Sequence, residues 1–443
     1  MNNAENLYNE LRAAPVLDAH THINASAVTA RGLADILLYH MVVSDLYAAG
    51  CPDGARIDGL SDSEKEKRIE AAIPWLPYIK NTSCWWGVRI ILHDLYGWDE
   101  EIAHDNWRKL DAIIRERSRD DSWAREIARY AGIRRIVTEL WRGGGDAANL
   151  FQYSLEWAFF TRSQWGQYDT AILELEHSWS QSTPGPPLPV KLDRNNSPFI
   201  GTVKNLDDVK KAIKHYTESI PYEKILSIAS HFSTDISYRC VSDNEMELAL
   251  SNRANAGPHE REVYANYINE AFLQSIAKTH PDTVLQFSLG AEPLPYETGS
   301  KMKTETVFEL AQLFNRHRDL QFNLFISCEH QNQAFCTLVR ELPNVSLSGY
   351  WWHNFFPGSI RKVMETRLDM MPLNRFVGFF SDAYCLDWAY AKSLIVRRQM
   401  AEVLNDKIEL GQYTKQMALD IASELVYNTP QSLLGMVPLE NHV

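Results

Sequence analysis

Two histidines set two residues apart are the first sign of chemistry in this chain. The stretch PVLDAHTHIN, residues 15–24, is a short apolar run that carries Asp18, His20 and His22 at alternate positions. In a β-strand, residues two apart face the same side, so these three side chains project together. Two imidazoles at that spacing can hold one divalent cation, but they leave its coordination sphere open. A carboxylate or a third imidazole must come from elsewhere. Taken alone, such a pair serves equally well as two hydrogen-bonded core histidines.

Other apolar runs end on similar residues. Asp382 closes RFVGFFSDA, His231 closes ILSIASHF, and His177 follows AILELE. Glu329 and His330 follow LQFNLFISC, and His353 follows VSLSGYWW. Each has a plain structural reading, since a strand-end Asp often caps the next helix and a His there can simply face water. Together they point to a polar site at one end of a set of strands.

The elements that must position these residues have a rhythm. From about residue 130, β-rich runs alternate with helical ones. The runs are IRRIVTEL (133–140), AILELEHSW (171–179), ILSIASHF (225–232), TVLQFSLG (283–290), LQFNLFISC (320–328), VSLSGYWW (345–352) and RFVGFFSDA (375–383). Amphipathic stretches at 206–219, 304–317, 331–342 and 359–371 lie between them. Such alternation argues for a parallel sheet. With PVLDAHTH as the first strand there are eight, which close naturally into a (β/α)8 barrel whose strand C-termini carry the chemistry. A doubly wound sheet would call for a G-x-G-x-x-G turn, and RGGGDAANLF (142–151) has the wrong spacing for one. Residues 24–131 break the rhythm and read as a helical insertion between strands one and two, contributing to the active site. The barrel is then 1–23 plus 132–443. A Pro-rich loop at 181–199 leaves the expected third strand where it could cover the site.

Bulk properties narrow the partners. The 443 residues are 45% hydrophobic and 23% charged, an ordinary globular balance, and the net charge is −13. That charge disfavours nucleic acid and acidic membranes and favours a small-molecule ligand. The six cysteines contain no CxxC pair and fit reduced thiols in a cytoplasmic protein. No signal peptide precedes the first strand, and no apolar run is long enough to span a bilayer.

With those residues in view, the chain resembles the uronate (glucuronate) isomerase family of the amidohydrolase superfamily, as a divergent member. The superfamily pattern is D-x-H-x-H at strand one with an Asp at the end of strand eight. More specific are SGYWWHNF (348–355), RFVGFFSDA with IVRRQMAEVL (395–404), and LVYNTPQSLLG (425–435). The resemblance implies a distorted barrel, one divalent ion (zinc) and a sugar-acid substrate of the glucuronate or galacturonate type. It also implies a homo-oligomer. It makes His20, His22 and Asp382 metal ligands, with Asp382, His40 and His231 catalytic. Tyr384, Trp352, Ser180 and His353 fall at substrate-binding positions.

The departures are as informative. Ser180, Tyr384 and Ser44 stand where the family has arginines, Met41 where it has a tyrosine, and Ser288 where it has a strand-five histidine. Guanidinium groups grip carboxylates by paired hydrogen bonds that Ser and Tyr cannot reproduce. Scaffold and metal site are therefore expected to persist while the carboxylate grip changes, with Arg142 and Lys204 as possible replacements. A hydrolase on the same scaffold, acting on a sugar lactone, ester or amide, is the alternative. A non-catalytic relative is a third reading, disfavoured because buried ionisable groups without a partner are costly.

Overall fold

The computed structural model describes residues 3–52, 60–143, 150–157, 170–180, 202–232, 238–292, 299–300 and 302–437. Eight parallel strands form one curled sheet in chain order. They are β1 (Val16–Asp18), β2 (Ile133–Glu139), β3 (Phe151–Glu156), β4 (Ser227–Phe232), β5 (Val284–Leu289), β6 (Gln321–Ile326), β7 (Val345–Ser348) and β8 (Phe376–Val377). A short antiparallel ladder pairs 291–292 with 299–300. No ladder joins β8 to β1, but the segments following them meet. His22 N–H donates to Ala383 O at 2.8 Å, and Asp382 N–H donates to His20 O at 3.0 Å. Those two bonds set both histidines beside Asp382.

One expected strand is a helix. Residues 171–179 belong to helix Thr170–Ser180, and the third strand is FQYSLE at 151–156. The Leu-Glu-Leu-Glu alternation in AILELE reads as a half-buried strand, but Glu174 and Glu176 are as buried as Leu173 and Leu175, so the polar positions do not mark a solvent face. The side chains from Ala171 to Glu176 are buried, and Glu176 pairs with Arg253 at 2.9 Å. The true β3 was masked by Gln152, Tyr153 and Ser154; Gln152 Nε2 donates to the neighbouring Phe151 O and Ser154 Oγ to Thr138 O of β2. Strands seven and eight are also shorter than expected. β7 stops at Ser348, and the chain past β8 runs on without a ladder, Gly378 N–H donating to Leu425 O at 2.7 Å. Gly349, at φ +48°, permits the turn after β7, since a Cβ there would lie 2.3 Å from the Phe380 ring.

The amphipathic stretches do form helices, at Leu206–Ser219, Thr304–Arg316, Asn332–Glu341 and Pro357–Met370. Between β1 and β2 the chain forms helices Leu33–Leu37, His40–Ala49, Asp62–Ala72, Ser83–Tyr96, Trp107–Arg117 and Trp123–Ala131. Buried Asp387, in the first turn of helix Leu386–Glu409, ties this segment to that helix. Its carboxylate accepts from Tyr96 Oη at 2.5 Å and from Ala30 N at 2.8 Å. Behind the sheet, the buried Arg397 guanidinium donates to carbonyls of Leu11, Arg12 and Ala131. It thereby satisfies carbonyls left open at the ends of two helices. Among the described residues no helix is long and apolar enough to cross a membrane.

Candidate metal centre and its pocket

His20, His22 and Asp382 converge at the strand ends, with one ligand atom from each lying within 4.8 Å of the others. Asp382 Oδ1 sits 3.1 Å from His22 Nε2 and 3.7 Å from His20 Nε2. Three ligands at about 2.0–2.1 Å from a tetrahedral ion would be about 3.3–3.4 Å apart, so the spacing fits a small divalent cation. The same Oδ1 is buried and accepts no well-oriented hydrogen bond. A buried lone pair in that state suits a metal.

The surroundings hold His20 neutral and Asp382 ionised, while His22, which burial would lower but the Glu139 charge raises well above the usual imidazole value, must give up its Nε2 proton to bind an ion. Burial, aided by the His22 charge, lowers His20 to about 4 and keeps its imidazole neutral at ordinary pH. His22 Nδ1 is hydrogen-bonded to Glu139 at the end of β2, which leaves Nε2 to face Asp382. Burial alone would raise Glu139, but the His22 charge and hydrogen bond, with Arg142 at 2.8 Å, bring it down to about 2. Burial would raise Asp382 as well. The close approach and charge of His22, followed by the Lys392 charge, hold it well below the usual carboxylate range.

Asp382 is one of two described non-glycine residues with positive φ, at +53°, the other being Trp352 at +60°. A left-handed Asp persists only where its surroundings fix it. Lys392, 1% exposed, supplies that grip. Its Nζ donates to Ser381 O at 2.6 Å and to Tyr39 Oη at 2.8 Å, and Tyr39 Oη donates to Asp382 O at 2.9 Å. Asp18 contributes on the other side, its Oδ1 accepting from Ser381 N–H at 2.7 Å.

A cavity of about 270 Å³ opens beside the triad, with His22, His40, Tyr384 and Arg142 in its walls. That is at the small end for ligand pockets and suits a single sugar. Tyr384 stacks on His22 with ring centres 5.1 Å apart, and His40 stands edge-on to Tyr384 at 5.7 Å. Arg31, Asp35 and Lys65 also line the cavity.

Other expected site residues, like His20 and Asp382 themselves, do not line this cavity. His231, on β4 in register with Ser288 of β5, packs edge-on against Trp351 at 5.0 Å. Trp352 packs against the core cluster that includes Leu17, Phe325 and Phe380. His353 is buried and lowered to about 4, by burial and then by the Arg367 charge. None of these three lines the cavity that the described residues form. Ser180 is exposed at the end of its helix, donating to His177 O at 2.6 Å. Glu329 pairs with Lys362 at 2.7 Å, and Lys204 N–H donates to Asp208. Sequence reasoning passed over Glu139, Tyr39 and Lys392. Glu139 ends its strand as Asp382 ends its own run, so the same positional rule would have found it. Lys392 lies inside a helix, and nothing in its spacing marks it.

No family model matches the sequence, and no curated protein matches it. Solved structures do. Glucuronate isomerase from Caulobacter crescentus aligns with TM-score 0.78 at 16% identity, over 99% of this chain and 95% of its own. Uronate isomerase from Thermotoga maritima aligns with TM-score 0.74 at 14% identity, over 98% and 97%. A Lactobacillus casei protein proposed to be a metal-dependent hydrolase aligns less closely, with TM-score 0.56 at 13% identity, over 97% of each chain. At such identities the likeness is one of fold: from end to end, this chain is built on the architecture seen in the uronate and glucuronate isomerase structures.

Proposed function

We propose that this protein is a metal-dependent aldose–ketose isomerase of the uronate isomerase type, acting on a uronic acid or a closely related sugar. The observation that carries the reading is the convergence of His20, His22 and Asp382 beside a sugar-sized polar cavity that also holds His40 and Tyr384. The full-length likeness in fold to uronate and glucuronate isomerases supports it. We assign the site one divalent ion, zinc, held by His20, His22 and Asp382. Bound there, the ion supplies Lewis acidity toward the neighbouring oxygens of the sugar.

The chain's own groups do the rest. The Asp382 carboxylate, kept ionised, is the base that moves a proton between C2 and C1. His40, on the cavity wall, serves as acid toward the substrate oxygen. Tyr384, stacked on His22, orients the sugar ring from the same side. His231 is assigned a further catalytic role, and Trp352, His353 and Ser180 are assigned to substrate binding. We take the barrel as 1–23 with 132–443, and the helices within 24–131 as an insertion that brings His40 to the site. The protein is further assigned to the cytoplasm as a homo-oligomer.

A hydrolase acting on a sugar lactone, ester or amide is the second reading, favoured by the fold shared with the Lactobacillus casei protein. One experiment separates the two. The zinc-loaded protein is mixed with glucuronate, galacturonate, neutral aldoses and sugar lactones in deuterated water. Isomerisation with C2 proton exchange and no hydrolysis supports the isomerase. Hydrolysis without exchange overturns it. Loss of bound ion in His20→Asn, measured by elemental analysis, tests the ligand set separately.

A further inference from the structure

The residues that a uronate isomerase would use to grip a carboxylate are Ser180, Tyr384 and Ser44 here, and none of them is cationic. The cavity nevertheless carries positive charge. Arg31, Lys65 and Arg142 line it, against the single carboxylate of Asp35. The protein as a whole carries −13, so this surplus runs against the general balance of the chain.

The three cations are not equivalent. Arg142 is committed to Glu139 at 2.8 Å, and Glu139 is committed to His22, so its charge is used in supporting the metal ligands. Arg31 and Lys65 share Asp35 at 3.9 and 3.8 Å, both long contacts. Asp35 Oδ2 is meanwhile occupied by the Arg31 backbone N–H at 2.9 Å. Among the described residues, two cations facing one carboxylate leave one positive charge uncompensated in the cavity wall. The Arg31 side chain is 67% exposed and is able to swing toward a ligand.

We infer that Arg31 and Lys65 form an anion-binding subsite that holds the acidic end of the substrate while its other end meets His22, His40 and Tyr384. This rests on the isomerase reading for the chemistry at the metal end, but the anion subsite stands on its own geometry. It places the charge recognition on the helices between β1 and β2 and makes the substrate an anionic monosaccharide. A carboxylate and a phosphate share the required chemistry, and both suit a planar guanidinium beside an ammonium.

The test is calorimetric binding to the zinc-loaded protein, at low and high salt, with three probes: glucuronate, glucose 6-phosphate and glucose. At least one of the two anions is expected to bind more tightly than glucose, and to weaken with salt. Arg31→Met with Lys65→Met should lower that affinity on the order of 10- to 100-fold, the range for losing a charge-assisted contact, and leave glucose within twofold. The tighter of the two anions identifies the group. Both positions are polar and away from the core, and an unchanged thermal midpoint and zinc content will show that the variant folds. Unchanged anion affinity in the double variant overturns the inference. Because binding rather than turnover is read, absence of isomerase activity would remove the proposed reaction and leave the subsite still to be judged by these affinities.

Discussion

Replacing Lys392 by Met probes the least conspicuous part of the site. Met keeps the length and apolar stem of lysine but removes the ammonium. The wild-type Nζ makes two short bonds, to Ser381 O at 2.6 Å and Tyr39 Oη at 2.8 Å, and a longer contact to Asp382 O at 3.4 Å. Hydrogen bonds from a charged group are worth about 1.5–3 kcal/mol each, which gives about 3–6 kcal/mol for the short pair. Two offsets reduce this. Burial already penalises the ammonium, lowering Lys392 to about 8 against the pull of Asp382 and Asp18. Ser381 O also keeps a bond from Asn354 Nδ2 at 3.0 Å. The net expected loss is about 2–4 kcal/mol, less than removing half of an unsupported buried ion pair. The second consequence is geometric. Asp382 at φ +53° is held by its carbonyl neighbours, and without Lys392 it has a route to relax away from the two histidines. Metal affinity should fall about 10- to 100-fold, the usual cost of losing a group that orients a ligand. The assays are urea unfolding of the metal-free protein at pH 7 and competition for zinc with a chromophoric chelator. A stability change under about 1 kcal/mol, together with zinc affinity within twofold, would refute the argument that Lys392 holds Asp382 in place.

Two further outcomes follow from the same contacts. Glu139→Gln keeps an acceptor for His22 but removes the charge, so zinc affinity should drop about 10-fold with little change in fold, read by the same chelator competition; full affinity would count against Glu139 as the orienting group. Far from the site, Glu270 pairs with His317 at 3.1 Å and Arg316 at 3.3 Å. Burial would raise Glu270, but the His317 hydrogen bond and charge, then Arg316, bring it from its ordinary 4.5 to about 2. A carboxyl lowered in the folded state adds stability above its unfolded value and loses it as pH falls through the folded one. The advantage of wild type over Glu270→Gln should therefore be full above about pH 4.5 and vanish toward pH 2. Urea midpoints measured across that window decide it, and a difference independent of pH would contradict the pairing.

What the sequence determined by itself was whatever depends on local periodicity and spacing. Alternation at Asp18, His20 and His22 was enough to place two imidazoles on one face of a strand. The regular succession of apolar runs and amphipathic helices was enough for a parallel sheet and for seven of its eight strands, the third being misplaced, because that pattern has few other compact solutions. Even Asp382 was legible, since it ended an apolar run that the barrel order puts next to β1. What the tertiary structure decided was everything resting on contacts between distant segments. Residues 171–179 lie in a helix whose Ala171–Glu176 stretch is buried and whose Glu176 is paired with Arg253, and the local Leu-Glu alternation does not encode that partner. Glu139 meets His22 across 117 positions, and Lys392 reaches Tyr39 across 353. Arg31 and Lys65 come together in one cavity wall only once the helices between β1 and β2 have packed. Spacing in sequence fixes direction along a strand or helix. Which charges neutralise one another, and which remain for a ligand, depends on three-dimensional packing that no local pattern carries.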